Sequence, residues 1–345
     1  MTAEAQLDRT TADNHFRLGL LFAVSSALAF GSSGPFAKAL MESGWSPTAA
    51  VTARLAGGAV MMAAFASVVR PGWIREVLGH AKTVVGYGLI PIAGAQLCYY
   101  NAVAHLSVGV ALLLEYTAPI LVVGWVWATT RHRPGAMTFG GVAVAVAGIV
   151  LVLDVFSGAQ INLAGVTWGL AAAVCAACYF MMSNKASTDG DGLSPISLAA
   201  GGLIIGTAAV ALLGVTGVMP LTFTTNPVTI AGHTTAWLVP VIALGLIPTA
   251  LAYTLGIVGI ARLKPRFASL VGLSEVLFAV LIAWIMLGEA MSVSQAIGGA
   301  VVLLGLAVAR QGDRSEQADP QTATQVELAT WPDMALQETS ERTID

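Results

Sequence analysis

Lys38, Arg54, Glu115 and Glu275 are charged side chains lying within long apolar runs of the chain. A charge at the centre of a bilayer costs roughly 2.5–3.5 kcal/mol on insertion scales, so such groups face a cavity or a partner. If those runs are helices, Glu115 is about eight residues into its own and Glu275 about nine, roughly 12 and 14 Å deep at 1.5 Å per residue. Both carboxylates then approach the midplane. A desolvated carboxyl can exchange a proton as its surroundings alternate, and an ionised one can hold an ammonium group. The structural alternative ties each Glu to a Ser, Thr or backbone group of a neighbouring helix. Arg54 suits a substrate carboxylate or serves as counter-ion to Glu115. Lys38 has Glu42 one turn on, a spacing for a local ion pair; equally, it could gate one mouth of a pathway.

Uncharged polar groups cluster near these positions. Gln96 and Tyr100 are four residues apart and share a helical face, with Tyr99 and Asn101 beside them. Ser274 adjoins Glu275, and Tyr253 lies in the preceding run. Amide and aromatic groups lining a cleft suit a small zwitterion or an amphipathic drug. Glu289 opens the last run, where a carboxylate favours a helix N-terminus, and Trp127 and Trp284 read as interfacial anchors. Cys175 and Cys178 form a CxxC within an Ala-rich run, and no second CxxC or His cluster accompanies it. Small packing residues are the expectation there, with no metal and no cofactor.

The elements that must position these groups are membrane spans. The chain has 345 residues, 56% apolar and 10% charged, against roughly 25% charged in a soluble domain. Ten segments approach the ~20 apolar residues a crossing helix needs: 16–40, 47–69, 83–104, 107–128, 136–153, 163–183, 194–218, 237–260, 266–287 and 292–309. The expected fold is therefore an all-α integral membrane protein with ten helices. Fourteen of the 16 Lys and Arg fall on one side of that arrangement, leaving Lys38 and Arg54 within the spans. The positive-inside rule places this side and both termini in the cytoplasm, in a multi-pass protein of the inner or plasma membrane. An N-terminal arm (1–17) and an acidic tail (310–345) flank the body. From residue 311 the tail holds eight acids against two Arg and is expected to be largely disordered, with a short helix over 326–336 at most. No basic stripe suggests a nucleic-acid partner.

The two halves repeat. Leu89-Ile90-Pro91 matches Leu246-Ile247-Pro248, and the same offset pairs Gln96 with Tyr253 and Trp127 with Trp284. Ser46-Pro47 matches Ser194-Pro195, with Pro suited to a first helical turn. Repeats of five spans each, 18–153 and 163–309, must enter the bilayer from opposite faces. Inverted repeats with a midplane site between them are the construction of secondary transporters. Gly34-Pro35 with Lys38, the five-plus-five plan and Leu287-Gly288-Glu289 resemble the drug/metabolite transporter superfamily with two EamA-type repeats. Gly109 to Pro119 and Leu263-Lys264-Pro265-Arg266-Phe267 are similar to bacterial threonine/homoserine exporters. That family has Glu-Pro in the ninth span, whereas here Val276 follows Glu275.

The resemblance implies a secondary carrier of small molecules, most directly an amino-acid exporter working by alternating access, with proton coupling as an option. Import or exchange of drugs, sugars or nucleosides is the alternative. A membrane enzyme is remote: no HExxH or paired-Asp motif occurs. The expected substrate-binding or coupling set is Glu115, Glu275, Arg54, Lys38, Gln96, Tyr100, Asn101, Tyr253 and Ser274.

Overall fold

The computed structural model describes residues 3–131, 133, 135–153, 162–188, 193–252, 255 and 265–317. Helices dominate. In chain order they are α1 (Ala3–Gly31), α2 (Ser33–Glu42), α3 (Pro47–Val69), α4 (Trp73–Gly79), α5 (Ala81–Tyr87), α6 (Ala95–His105), α7 (Val108–Glu115) and α8 (Ala118–Thr130). They continue as α9 (Ala136–Val152), α10 (Leu163–Thr188), α11 (Pro195–Val215), α12 (Leu238–Gly245), α13 (Pro265–Leu287) and α14 (Val293–Gln317). Among the described residues, four stretches are long and apolar enough to cross a membrane: 17–42, 47–69, 108–129 and 195–215.

Several expected spans are built from more than one helix, and proline explains where each divides. Proline lacks the N–H that would bond the carbonyl four residues back, and its ring crowds that carbonyl. Pro35 withholds a donor from Gly31, where α1 ends. Pro119 does so at Glu115, where α7 ends and a turn at Tyr116 and Thr117 leads into α8. Pro91 and Pro248 sit in wide π-helical turns, Gly88–Gly94 after α5 and Leu246–Leu251 after α12. In the second of these Thr249 Oγ1 reaches back to the Leu244 carbonyl, 3.4 Å away, the group that Pro248 leaves without a donor. Side-chain hydroxyls commonly supply such bonds inside membranes, where water cannot.

The matched motifs of the two halves adopt matched structures. Ser46 (φ −76°, ψ 154°) caps α3 by accepting from the Ala49 amide, and Ser194 (φ −73°, ψ 148°) caps α11 by accepting from Ser197. Both Leu-Ile-Pro motifs form π-helical turns.

Contacts divide the chain into two units, 1–115 with 162–291, and 116–161 with 292–345. In the first, α3 packs on α11, α6 on α10, and α1 on α13. Glycine permits the last contact, since a Cβ on Gly31 would stand 2.9 Å from the Glu275 carbonyl oxygen and the Ala279 amide. The second unit centres on α9 against α14, whose backbones close through small residues. A Cβ on Gly141 would fall 2.3 Å from the Ala309 nitrogen, and one on Gly305 2.4 Å from that of Ala145. Close approach of this kind gains dispersion contact where lipid offers no hydrophobic driving force.

Four departures from the sequence expectation stand out. The arm before residue 18 belongs to the first helix, which begins at Ala3. The last helix runs to Gln317, past the expected end at 309; there Gly312 packs on Thr138. The stretch 326–336 lies outside the described residues. The connection 70–82 contains the short helix α4, with Trp73 buried. Finally, the all-α expectation misses a hairpin in the long connection after α11: β1 (Val228–Ile230) pairs antiparallel with β2 (His233–Thr235). The connection is tied down at several points. Ser46 N donates to Thr222 O (3.1 Å), Trp45 Nε1 to Thr224 O (2.8 Å) and Ala231 N to Met286 O (2.8 Å). Phe223 meets the Trp45 ring edge-on, centroids 5.2 Å apart. Those hydrogen bonds are what a strapped connection needs and what hydropathy cannot foresee.

Candidate functional site

Arg54 organises the polar centre of the first unit. It is 8% exposed, near the middle of an otherwise small and apolar α3. Its Nη1 donates to Gln96 Oε1 at 2.7 Å, to the Tyr100 hydroxyl at 3.2 Å and to the Ser33 hydroxyl. Ser33 and Tyr100 are themselves bonded at 3.0 Å, and the guanidinium carbon lies 5.8 Å from the Tyr100 ring centroid, within cation–π range. Gln96 and Tyr100 reach the same guanidinium because one turn of α6 separates them. These acceptors are neutral, so they hold the guanidinium in place without cancelling its charge.

Glu115 and Glu275 complete the centre. Glu115 ends α7 at the turn that Pro119 enforces, and its side chain is half-buried. Glu275 lies within α13, which runs unbroken from Pro265 to Leu287. Both Glu275 and Arg54 lie close enough to Glu115 to act on its charge. The fully enclosed Tyr99 feels all three; its hydroxyl packs on Gly34, where a Cβ would come within 2.4 Å. Two carboxylates, a guanidinium and two tyrosines thus gather from α3, α6, α7 and α13, with the Ser33 hydroxyl from α2.

Other candidates fall elsewhere. Asn101 Nδ2 turns back to the Leu97 carbonyl at 2.7 Å, and Ser274 Oγ to the Val271 carbonyl at 2.6 Å, bonds within their own helices. Tyr253 lies outside the described residues. Lys38 makes none of the centre's hydrogen bonds among the described residues, and its expected pairing with Glu42 is replaced. Lys38 Nζ pairs with Glu289 and donates to the Leu106 carbonyl at 3.0 Å. Glu42, exposed on α2, still faces that ammonium through space. Glu289 does serve a helix N-terminus, but a different one from that expected: its Oε2 accepts from the Val108 amide at 3.1 Å, the start of α7. Gly288, just before Glu289, turns the backbone at φ +72°.

Ser33 is the site residue that sequence reasoning passed over. A signal existed, since Ser32-Ser33 directly precedes Gly34-Pro35 and so flanks the break between α1 and α2. Cys98, Cys175 and Cys178 are half-buried free thiols, and no group of three metal-ligating side chains occurs among the described residues. Glu76 of α4 accepts from the Ser197 hydroxyl at 2.6 Å and the Ser194 amide at 3.2 Å. Those bonds, with Arg70 nearby, hold the Glu76 carboxyl below the usual range.

Known proteins resemble this chain along most of its length. The model of the EamA-like transporter family matches twice, over residues 17–154 and 163–310. A threonine/homoserine exporter, RhtA, of Salmonella typhimurium strain LT2 is 29% identical over 282 residues, covering 80% of this chain and 84% of its own. An uncharacterized transporter of Archaeoglobus fulgidus is 26% identical over 76% of this chain and 91% of its own. The uncharacterized transporter YwfM of Bacillus subtilis is 26% identical over 86% and 95%. A solved crystal structure superposes with a TM-score of 0.54 over 86% of this chain and 98% of its own; at 22% identity this is a likeness of fold.

Proposed function

Given that this chain belongs to the EamA-like transporter family, we propose that it exports small amino acids such as threonine and homoserine by alternating access. In this reading it is a multi-pass plasma-membrane carrier with both termini in the cytoplasm, since the Lys- and Arg-rich connections lie on that side. The family membership makes it a membrane transporter and not an enzyme.

The observation that carries the substrate reading is the gathering of Arg54 with Glu115 and Glu275. A zwitterion needs a cation for its carboxylate and an anion for its ammonium group, within one small molecule's length. Arg54, held by Ser33, Gln96 and Tyr100, suits the carboxylate, because a guanidinium presents a planar fork of donors. Glu115, at the end of a half-helix, suits the ammonium. Discontinuous helices put charge-bearing ends at the midplane of many transporters, where irregular backbone can line a cavity. With two carboxylates in mutual range, loading one proton relieves their repulsion, and substrate ammonium and proton compete for the same place. Coupling of export to protons follows from that competition.

The test is efflux from cells lacking their own exporters, preloaded through dipeptides with a panel of amino acids including threonine and homoserine. Accelerated release of a few, abolished in Glu115→Ala at equal expression, supports the reading. Release of none sinks the amino-acid assignment and directs the search to drugs, sugars and nucleosides. Solute-independent ion currents in reconstituted vesicles would overturn the carrier mechanism itself.

A further inference from the structure

The start of α7 is bracketed by one ion pair. Lys38 Nζ binds the Leu106 carbonyl, and its partner Glu289 binds the Val108 amide, so the pair grips the backbone on both sides of Ser107. Ser107 occupies the N-cap position of α7, since its carbonyl accepts the first helical bond, from Ala111 N at 3.0 Å. A cap serine normally accepts from the second or third helical amide through its own hydroxyl. Here the Ser107 hydroxyl oxygen is buried and has no hydrogen-bond partner among the described residues. Glu289 accepts from the first amide of the helix instead, and the residue built to cap is idle. A buried polar atom without a partner is costly and calls for an explanation.

The two short helices that meet here both reach the central cluster. α2 carries Ser33 at one end and Lys38 one and a half turns on; α7 begins at the bracket and ends at Glu115. They touch at Gly34, where a Cβ would stand 2.5 Å from Val108 Cγ1. Anything that frees the start of α7 therefore acts on Glu115 through eight residues of helix.

We propose that the first turn of α7 is an exchangeable cap: Glu289 caps it while the Lys38–Glu289 pair is closed, and the Ser107 hydroxyl caps it when the pair opens. The inference rests on the alternating-access reading, in which this end of the bundle must close and open. The exchange lowers the cost of opening, because the idle hydroxyl gains the Gly109 or Val110 amide as Glu289 leaves that of Val108. Two discrete arrangements of one element, each with its own cap acceptor engaged, are what a gate requires. Removing an unbonded hydroxyl leaves the closed form intact and penalises only the open one.

The experiment reads the gate directly. Spin labels at Met41→Cys on α2 and Ala290→Cys beside Glu289, in the full chain without its native cysteines, report the distance across the pair in lipid nanodiscs. Lys38→Met and Glu289→Gln should each raise the long-distance population about threefold or more, and the double substitution should add nothing further, as groups in one interaction are not additive. Ser107→Ala placed on Lys38→Met should return that population towards the parent value, whereas Ser107→Thr, which keeps a hydroxyl, should leave it raised. A population unmoved by Lys38→Met overturns the proposal, and so does a Lys38→Met effect that Ser107→Ala leaves untouched. Efflux of threonine from cells is scored separately. Gate exchange without amino-acid efflux counts against the proposed substrate and leaves the cap exchange standing.

Discussion

Helices α7 and α13 hold the two central carboxylates, yet they differ in backbone. Beyond α7, Pro119 withdraws a donor from the Glu115 carbonyl, and the helix stops at that residue before α8 begins at Ala118. In α13, Val276 follows Glu275, no proline interrupts the ladder after Pro265, and the helix runs 23 residues in all. The difference assigns unequal work to two similar side chains. A carboxylate at a helix end can move with a short segment, and its position depends on a gate at the other end of that segment. A carboxylate in mid-helix, packed at Gly31 through its own carbonyl, is held by a rigid element and contributes charge more than motion.

That contrast can be broken most decisively at the carboxylates. Glu115→Gln is expected to slow efflux about thirtyfold or more, as loss of one partner in a buried charge contact costs at least about 2 kcal/mol. Glu275→Gln should change it no more than a few-fold, and equal losses in the two variants would erase the distinction. Next come the backbones. Val276→Pro should cost roughly 3 kcal/mol of helix stability and depress the melting temperature of the purified protein. Pro119→Ala should keep or raise that temperature while slowing efflux about tenfold, roughly 1.4 kcal/mol. Efflux at the parent rate in Pro119→Ala would mean that the break is incidental.

Smaller effects sharpen the picture around it. Gln96→Leu leaves the Arg54 guanidinium short of an acceptor, a loss of about 1–3 kcal/mol. It should raise KM for amino acids more than for their decarboxylated amines in competition assays. An equal rise for both classes would remove Arg54 from carboxylate recognition. Glu76 provides the mildest test. Its carboxyl is held low by Ser197 and Ser194, so its contribution is present above the ordinary carboxylate range and lost as pH falls through its lowered folded value. The melting temperature should therefore drop on acidification below about pH 4.5 in the parent, and less steeply in Glu76→Gln. Parallel acid profiles would show that the α4–α11 contact carries no linked stability.

Much of this was legible in the residues because its causes are local. Apolar length and the one-sided Lys and Arg distribution identify a multi-span chain, and the paired Ser-Pro and Leu-Ile-Pro motifs mark the repeat. Each forms the same cap or π-helical turn in both halves, since a cap or a missing amide acts within four residues. The Gln96/Tyr100 face was readable for the same reason. The role of Ser33, flagged only by its place beside Gly34-Pro35, the hairpin at 228–235 and the extension of α14 were not, because their partners come from other elements.

The sequence by itself determined that charges would be few, that they would sit in spans, and where proline would interrupt the hydrogen-bond ladder; these follow from composition and from bonds four residues long. Only the tertiary structure decided who meets whom. Glu42 is one turn from Lys38, yet Lys38 pairs with Glu289, from the far end of the second repeat. An ion pair in a medium of low dielectric goes to the partner that also satisfies its remaining hydrogen bonds. Glu289, with the Val108 amide within reach, is that partner, and nothing in the spacing of residues along the chain encodes the meeting.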